Sequence, residues 1–504
     1  MGIGRRAVVV AVLSTLIASV SPIVGGTGAS ASPTPCSDTY RQPGWIVSEN
    51  QLQGTTSWKI PSTQLGGIEG YADHVSAQCG DVVRLHVSTA APYFYVLAYR
   101  MGYYGGAGAR LIWQSGLHAG GLRQVPGPAP APNTNMIEAS WPTSISITVD
   151  GRWPPGDYLL KLVTDDKQHA RYVPLTIRDD LSTAALAIQN DVTTWQAYND
   201  WGGYSQYRGP NGFSDRSRVT SFDRPYHYNS QTSGGAGDGE FLLYDYPLVS
   251  FAEQRGLDVT YWTDIDLHER PQLLLNHRAL ITASHDEYWS TTMRNAVENA
   301  RANGINVAFF GADDVHWVTR FGASPLGSDR RQIVYKNAQE DPLYGVDNSN
   351  VTVKFRDAPI SNPESKLIGE MSECSPVHAD MVVSDASSWI FTGTGLSNGS
   401  VLPSMVGYEY DRVIPGAPAP AGLNIVAHSP LTCGSKSSFS DMTYYSAPSG
   451  AGVFASGTIT WLCVLTASCK QVTGNAGNQG VVQKITSNIL TVFARGPAGP
   501  SPTP

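Results

Sequence analysis

Two successive patterns set the predicted fold class, α/β plus β. Over 48–180, short runs alternate apolar and polar residues between Gly, Pro and Asp turns. From 181 onward, apolar strand-like runs alternate with segments of helical spacing. The first pattern predicts an Ig-like β-sandwich, which needs several short strands at even spacing. The second predicts right-handed βαβ units around a parallel sheet, an amidotransferase-like or flavodoxin-like layered core.

The sandwich strands are Val82–Val87, Tyr93–Tyr99, Ser144–Val149, Tyr158–Val163 and Tyr172–Ile177, with a Pro/Ala/Gly surface loop from Pro126 to Pro132. After Asp179-Asp180, Leu186–Ile188 reads as a short strand, and a long aromatic, Gly-rich loop follows. Leu242–Arg255 is helical and stops at Gly256. Asp258–Trp262 is a strand, Pro271–Asn276 a short helix, Ala279–Ala283 a buried strand, Thr292–Asn303 a helix closed by Gly304, and Ile305–Phe310 a strand. Residues 357–456 return to Ser, Gly and Pro with short strands and read as a β-rich insertion within an α/β domain spanning 181–495. Val481–Phe493 is the closing helix, and 496–504 a disordered Pro/Gly tail.

At the N-terminus, Arg5-Arg6, an apolar run from Ala7 to about Val24 and Ala29-Ser30-Ala31 read as a signal peptide over 1–31. A linker follows over 32–47. Ser14, Thr15, Ser19, Ser21 and Pro22 interrupt the run, which argues against a membrane anchor. The arginine pair leaves both the general secretory and the twin-arginine routes open. The expected location is secreted, extracellular or in the cell envelope. The six cysteines form no Cys-x-x-Cys motif, so disulfides are expected over zinc or redox chemistry. Keeping each bridge within one region gives Cys36–Cys79, Cys374–Cys433 and Cys463–Cys469.

The chain of 504 residues has 34 Lys+Arg against 42 Asp+Glu, a net charge of −8 and no basic run, which excludes nucleic acid as the expected partner. A hydrophobic content of 41% excludes a disordered chain. No Gly-x-Ser-x-Gly elbow supports a serine hydrolase, and Gly106-Ala107-Gly108 lacks the strand-to-helix setting of a phosphate loop.

Chemistry is expected where a strand of the parallel sheet ends. The strand Ala279–Ala283 runs into Ser284-His285-Asp286-Glu287-Tyr288-Trp289. In near-extended backbone His285 and Glu287 project to one side. They could bind a metal, or act as a carboxylate base beside a polarising imidazole. A carboxylate capping the next helix explains the same residues. The second cluster, Thr194 to Tyr204, follows the first α/β strand and suits a small polar ligand. Tyr198 there is a candidate phenolate ligand, with plain aromatic packing as the competing role. Pro155-Gly156-Asp157-Tyr158 has the form of a tyrosine corner. The loop Tyr99–Gly108 either packs on the second domain or rims a cleft.

In order along the chain, Tyr-Arg-Met-Gly-Tyr-Tyr-Gly-Gly (99–106), Trp-Gln-Ala-Tyr-Asn (195–199), Ser-Phe-Asp-Arg-Pro-Tyr (221–226), Asp-Val-Thr-Tyr-Trp-Thr-Asp (258–264), Ser-His-Asp-Glu-Tyr-Trp (284–289) and Ala-Phe-Phe-Gly-Ala (308–312) resemble the C-terminal half of the N,N-dimethylformamidase large (β) subunit family. They are most similar to its exported bacterial relatives of unassigned activity. The resemblance implies a mononuclear iron, ferric by its hard oxygen ligands, held by two tyrosines and a glutamate with a histidine close by. Carried over, the metal ligands fall on Glu287, Tyr198 and Tyr158, and the catalytic pair on His285 and Glu287. The implied activity is metal-dependent hydrolysis of an amide or other C–N bond in a small molecule, with a small partner subunit or homo-oligomer. The rival expectation is a non-catalytic envelope protein that binds glycans through the sandwich and the aromatic loops Tyr99–Tyr104 and Trp195–Tyr204.

Overall fold

A computed structural model describes residues 1–2, 34–123, 129–227, 237–283, 285–466 and 476–504. The proposed signal peptide lies almost wholly outside them, as do Cys469 and part of the 126–132 loop. Among the described residues, no helix is long and apolar enough to cross a membrane.

The fold is mixed α/β. Its N-terminal β unit is one eight-stranded sheet whose main path runs Ile68–Ala72, Val82–Met101, Gly156–Thr164, Ala170–Ile177, Ser76–Ala77. The two strands read from 82–87 and 93–99 are one continuous strand of 20 residues. Its first half pairs with Ile68–Ala72 and Ile145–Thr148, and its second with Gly156–Thr164 and Ala109–Gln114. The change of partners falls at exposed Pro92, near a register shift between Thr89 and Tyr93. Proline has no N–H for a ladder, so a sheet accepts it at such a break. Alternation places Val83, Leu85 and Val87 in the core with Ile145, Ile147, Leu160 and Leu162, while Val82 and Arg84 face out.

The second unit is built on a seven-stranded sheet. Its strands are β1 (Leu186–Asn190), β2 (Val259–Thr263), β3 (Ala279–Thr282), β4 (Asn306–Phe309), β5 (Asn424–Cys433), β6 (Lys436–Ser446) and β7 (Gly452–Ala455). They are ordered β2-β1-β3-β4-β7-β6-β5, parallel from β2 through β7, with β6 and β5 antiparallel. The region read as an insertion therefore supplies three core strands. Both faces are buried: Leu186, Ile188 and Ile281 pack on one side, and Ala187, Leu280 and Val307 on the other. Such strands read as continuous apolar runs. The chain leaves β1 toward β2 and leaves β3 toward β4, on opposite sides, so a switch point opens between the carboxyl ends of β1 and β3.

The helices follow their end signals. Helix α1 (Val192–Tyr198) follows β1, α2 (Tyr246–Gln254) ends before Gly256 at φ +63°, and α3 (Thr291–Ala302) ends before Gly304 at φ +88°. Ser290 caps α3 by accepting from Met293 N, so neither Asp286 nor Glu287 is spent on that role. Pro271–Asn276 winds as a 3-10 helix, and the closing helix α4 spans Gln479–Phe493.

The loop after Met101 packs on the second unit. Arg100 and Glu253 of α2, both 0% exposed at the side chain, form a bidentate pair with Nη2–Oε1 at 2.6 Å and Nη1–Oε2 at 3.2 Å. A Cβ on Gly102 would come within 2.1 Å of Glu253 Oε2, so only glycine allows the approach. The segment read as a linker takes part: Trp45 and Ile46 are buried in the α/β core, and just beyond it Asn50 Nδ2 donates to Glu253 Oε2 at 2.9 Å. The tail is also fixed, since Asn306 Nδ2 donates to Gly496 O at 2.7 Å and Tyr444 Oη donates to Gly499 O. Cys36–Cys79 and Cys374–Cys433 are bonded as expected.

Candidate metal centre

Beyond β3, Glu287 N donates to His285 O at 2.9 Å, a tight turn at Asp286, before Tyr288–Trp289 pairs in parallel with Trp317–Val318. The loop beyond β4 is stitched to it. Val315 N donates to Asp286 O at 2.8 Å, His316 N and Trp317 N donate to Glu287 O at 2.9 Å, and Asp286 N donates to Asp314 Oδ1 at 3.1 Å. Thr194 of α1 accepts from Glu287 N at 3.1 Å. The turn at Asp286 separates the side chains. Asp286 turns inward, accepting from Trp289 Nε1 at 2.6 Å and Gln189 Nε2 at 2.7 Å. His285 and Glu287 share the opposite side, with Nε2 and Oε2 3.6 Å apart.

Two tyrosines converge on Glu287. Tyr198, the last residue of α1, donates to Oε2 at 3.1 Å, and Tyr207 donates to Oε1 at 2.5 Å. Their rings stack with centroids 4.5 Å apart, and their hydroxyls lie 3.2 Å apart. Buried Arg224, from the Ser-Phe-Asp-Arg-Pro-Tyr segment, holds the loop that carries Tyr207. It donates to the carbonyls of Asn199 (2.7 Å), Trp201 (3.2 Å) and Tyr204 (3.1 Å), and to Gln196 Oε1 (3.1 Å). Behind Tyr207, Lys336 Nζ donates to Tyr288 Oη at 2.6 Å, and Tyr288 Oη donates to Tyr207 Oη at 2.6 Å. The ammonium also sits 3.3 Å from the Tyr207 ring centroid.

His285 faces further carboxylates. Its Nε2 is 2.7 Å from Glu409 Oε2, yet neither atom is aligned for a hydrogen bond. Asp313 completes a group with His285 and Glu287 whose ligand atoms all lie within 4.8 Å of one another. Burial and the charge of Glu287 raise both Tyr198 and Tyr207 well above the ordinary phenol value, so without a cation they stay neutral. Burial and Asp313 raise Glu287. Burial lowers His285, but Glu409 and Glu287 outweigh it and hold the imidazole well above its usual range. Burial brings Lys336 down to about 7.

The donor set suits a hard cation: two phenols and a carboxylate converge, and a nearly buried imidazole nitrogen is left without an aligned partner. A cation would reverse the pressure that keeps the phenols protonated.

The structure brings Tyr198, His285 and Glu287 together and leaves Tyr158 elsewhere. Tyr158 is 1% exposed in the core of the β unit, packed against Trp153, and donates to Pro154 O at 2.8 Å. That is a tyrosine corner, with its hydroxyl already satisfied. Tyr207 stands instead beside Tyr198. It lies three residues beyond the aromatic, Gly-rich cluster that the sequence singled out, and following that cluster to its next tyrosine reaches it. Glu409, Asp313 and Lys336 carried no local signal. Of the aromatics expected to hold glycans, Tyr99, Tyr104 and Trp195 are buried and Tyr103, Tyr198, Trp201 and Tyr204 are half-buried.

The profile of the family described as "N,N-dimethylformamidase beta subunit-like, C-terminal" matches residues 95–475. The N,N-dimethylformamidase beta subunits of Paracoccus aminophilus and of an Alcaligenes species are 25% and 24% identical over 321 residues. Each alignment covers 56% of this chain, and the chain spans only 41% of either relative's length.

Proposed function

The chain belongs to the N,N-dimethylformamidase beta subunit-like family, and from that premise we propose that it is a secreted, metal-dependent hydrolase of an amide or other C–N bond. The convergence of Tyr198 and Tyr207 on separate oxygens of Glu287, at the switch point of the sheet, carries this reading. The three are the proposed ligands of a mononuclear iron. The strand order supports an amidotransferase-like core, and the change of partners along Val82–Met101 supports an Ig-like sandwich. The interrupted apolar start and the two disulfides support export. The relatives' designation as beta subunits supports a small partner subunit, with self-association as the other arrangement.

Bound by this set, iron would supply Lewis acidity toward an amide carbonyl. The residues of the chain do the rest. Hydrolysis needs a group that takes a proton from water and returns it to the leaving nitrogen. His285, with Glu409 Oε2 2.7 Å from its Nε2 and Glu287 beside it, serves that role. Tyr288, fixed by Lys336, donates to Tyr207 Oη and stabilises its phenolate form. Arg224 keeps Tyr207 in place through the backbone of its loop.

The test is hydrolysis of small amides by iron-loaded protein before and after chelation, with Glu287→Gln beside it. The proposal expects activity that chelation abolishes and iron restores, and that the variant lacks. Activity indifferent to chelation refutes it.

A further inference from the structure

The segment Asp-Val-Thr-Tyr-Trp-Thr-Asp (258–264) ends on an acid to which the hydrolase reading gives no role. Asp264 directly follows β2, which neighbours β1, which in turn neighbours β3. It opens the short helix Asp264–Glu269, whose capping box is made by Thr263 and Asp266, so its own carboxyl is not spent there.

That carboxyl, wholly buried, faces two elements of the site. Oδ2 accepts from Thr193 N at 3.0 Å and lies 2.5 Å from Thr193 Oγ1, which is itself 2.9 Å from Tyr288 O. Asp191, at the N-cap of α1, makes no side-chain cap bond, so Asp264 supplies the acceptor that the opening turn of α1 needs. One residue on, Thr194 accepts from Glu287 N, and Tyr198 lies one turn further along the same face of α1. Oδ1 of Asp264 accepts from Gln189 Nε2 at 2.9 Å, and the same nitrogen donates to Asp286 Oδ2 at 2.7 Å. Burial, and after it the Asp286 charge, raise Asp264 well above the usual carboxyl range, so it keeps its proton and also bonds Asp286. Asp264, Gln189 and Asp286 therefore form a buried row across the ends of β2, β1 and β3. The amide turns its N–H groups to the two carboxyls and leaves its own Oε1 without a donor among the described residues. Turning it over would strip both carboxyls of a donor in dry surroundings, so the row holds one arrangement.

Resting on the iron-hydrolase reading, we propose that Asp264 is a positioning residue of the metal centre. Through Thr193 and through Gln189 and Asp286 it locks α1 to the turn over 285–288, and so sets Tyr198 against Glu287. The test uses the full chain, with iron titrated against a coloured chelator, the visible spectrum, and urea unfolding of metal-free protein. Asp264→Ala cuts both links, whereas Asp264→Asn keeps an oxygen for Thr193 N and an N–H for Asp286. Asp264→Ala weakens iron binding about tenfold or more and moves the phenolate-to-iron band, and Asp264→Asn restores both to near wild type. Wild-type affinity or an unmoved band in folded Asp264→Ala overturns the inference and leaves the iron reading standing. A loss that Asp264→Asn does not recover also overturns it, because the hydrogen bonds are then not the cause. Should Asp264→Ala fail to fold, Thr193→Val, which removes only the Oγ1 link, decides on the same readouts: a moved band upholds the inference and an unmoved one overturns it. Wild-type protein that takes up no iron overturns the inference and the reading beneath it together.

Discussion

Phenylalanine at Tyr207 and at Tyr158 should have opposite consequences, because the two hydroxyls do different work. Tyr207 Oη donates to Glu287 Oε1 at 2.5 Å and accepts from Tyr288 at 2.6 Å. Removing it strips a buried carboxylate of a hydrogen bond worth about 1.5–3 kcal/mol, and removes one of three proposed ligands. Loss of a residue that merely supports a ligand weakens metal binding ~10–100-fold, so loss of a ligand should weaken it by about 100-fold or more. Tyr158 Oη makes one bond, to Pro154 O at 2.8 Å, inside the β unit. Its loss should cost about 1–2 kcal/mol of stability and no metal. The assay is a competition titration of iron against a coloured chelator, run beside urea unfolding of each metal-free variant. Tyr158→Phe with weakened iron binding, or Tyr207→Phe binding iron as wild type does, would refute the assignment.

Two further outcomes concern the scaffold. Glu253→Gln leaves Arg100 charged and buried without its counter-ion, and should destabilise the protein by about 3–5 kcal/mol in chemical denaturation. Asp157, held by Asn190 Nδ2 at 2.6 Å and Thr176 Oγ1 at 2.9 Å, is pushed by burial from 3.8 to about 7. The folded state therefore binds its proton more tightly than the unfolded chain. Its contribution is complete below pH 3.8 and is lost as the pH rises toward about 7, by an amount on the order of 4 kcal/mol. Asp157→Asn should gain stability relative to wild type across that window, and a difference that does not vary with pH contradicts the reasoning.

What the sequence disclosed follows from range. Alternation, terminal glycines and the strand-end position of His285 and Glu287 are local, and the structure reproduces that layout. Tyr198 was legible because it follows the first α/β strand so closely, although the segment read as loop winds into α1. Tyr158 misled because a Gly-x-Tyr at a strand head looks alike whether it closes a corner or faces a metal. Only the bond to Pro154 separates the two. Glu409 reaches His285 from the strand Val401–Arg412, and Lys336 reaches Tyr288 from beyond the hairpin of Arg320–Ser324 and Gly327–Ile333. Pairings at such separations leave no periodicity to read. The 357–456 region looked like an insertion because its Ser- and Gly-rich composition masks strands that complete the main sheet.

The central claim is that Tyr198, Tyr207 and Glu287 hold iron. Metal analysis of the purified full chain, read together with its visible spectrum, tests it most directly. The account predicts about one iron per chain and a phenolate-to-iron absorption band that both Tyr198→Phe and Tyr207→Phe shift or abolish. Protein that takes up no iron, or an iron spectrum unchanged in both variants, contradicts it.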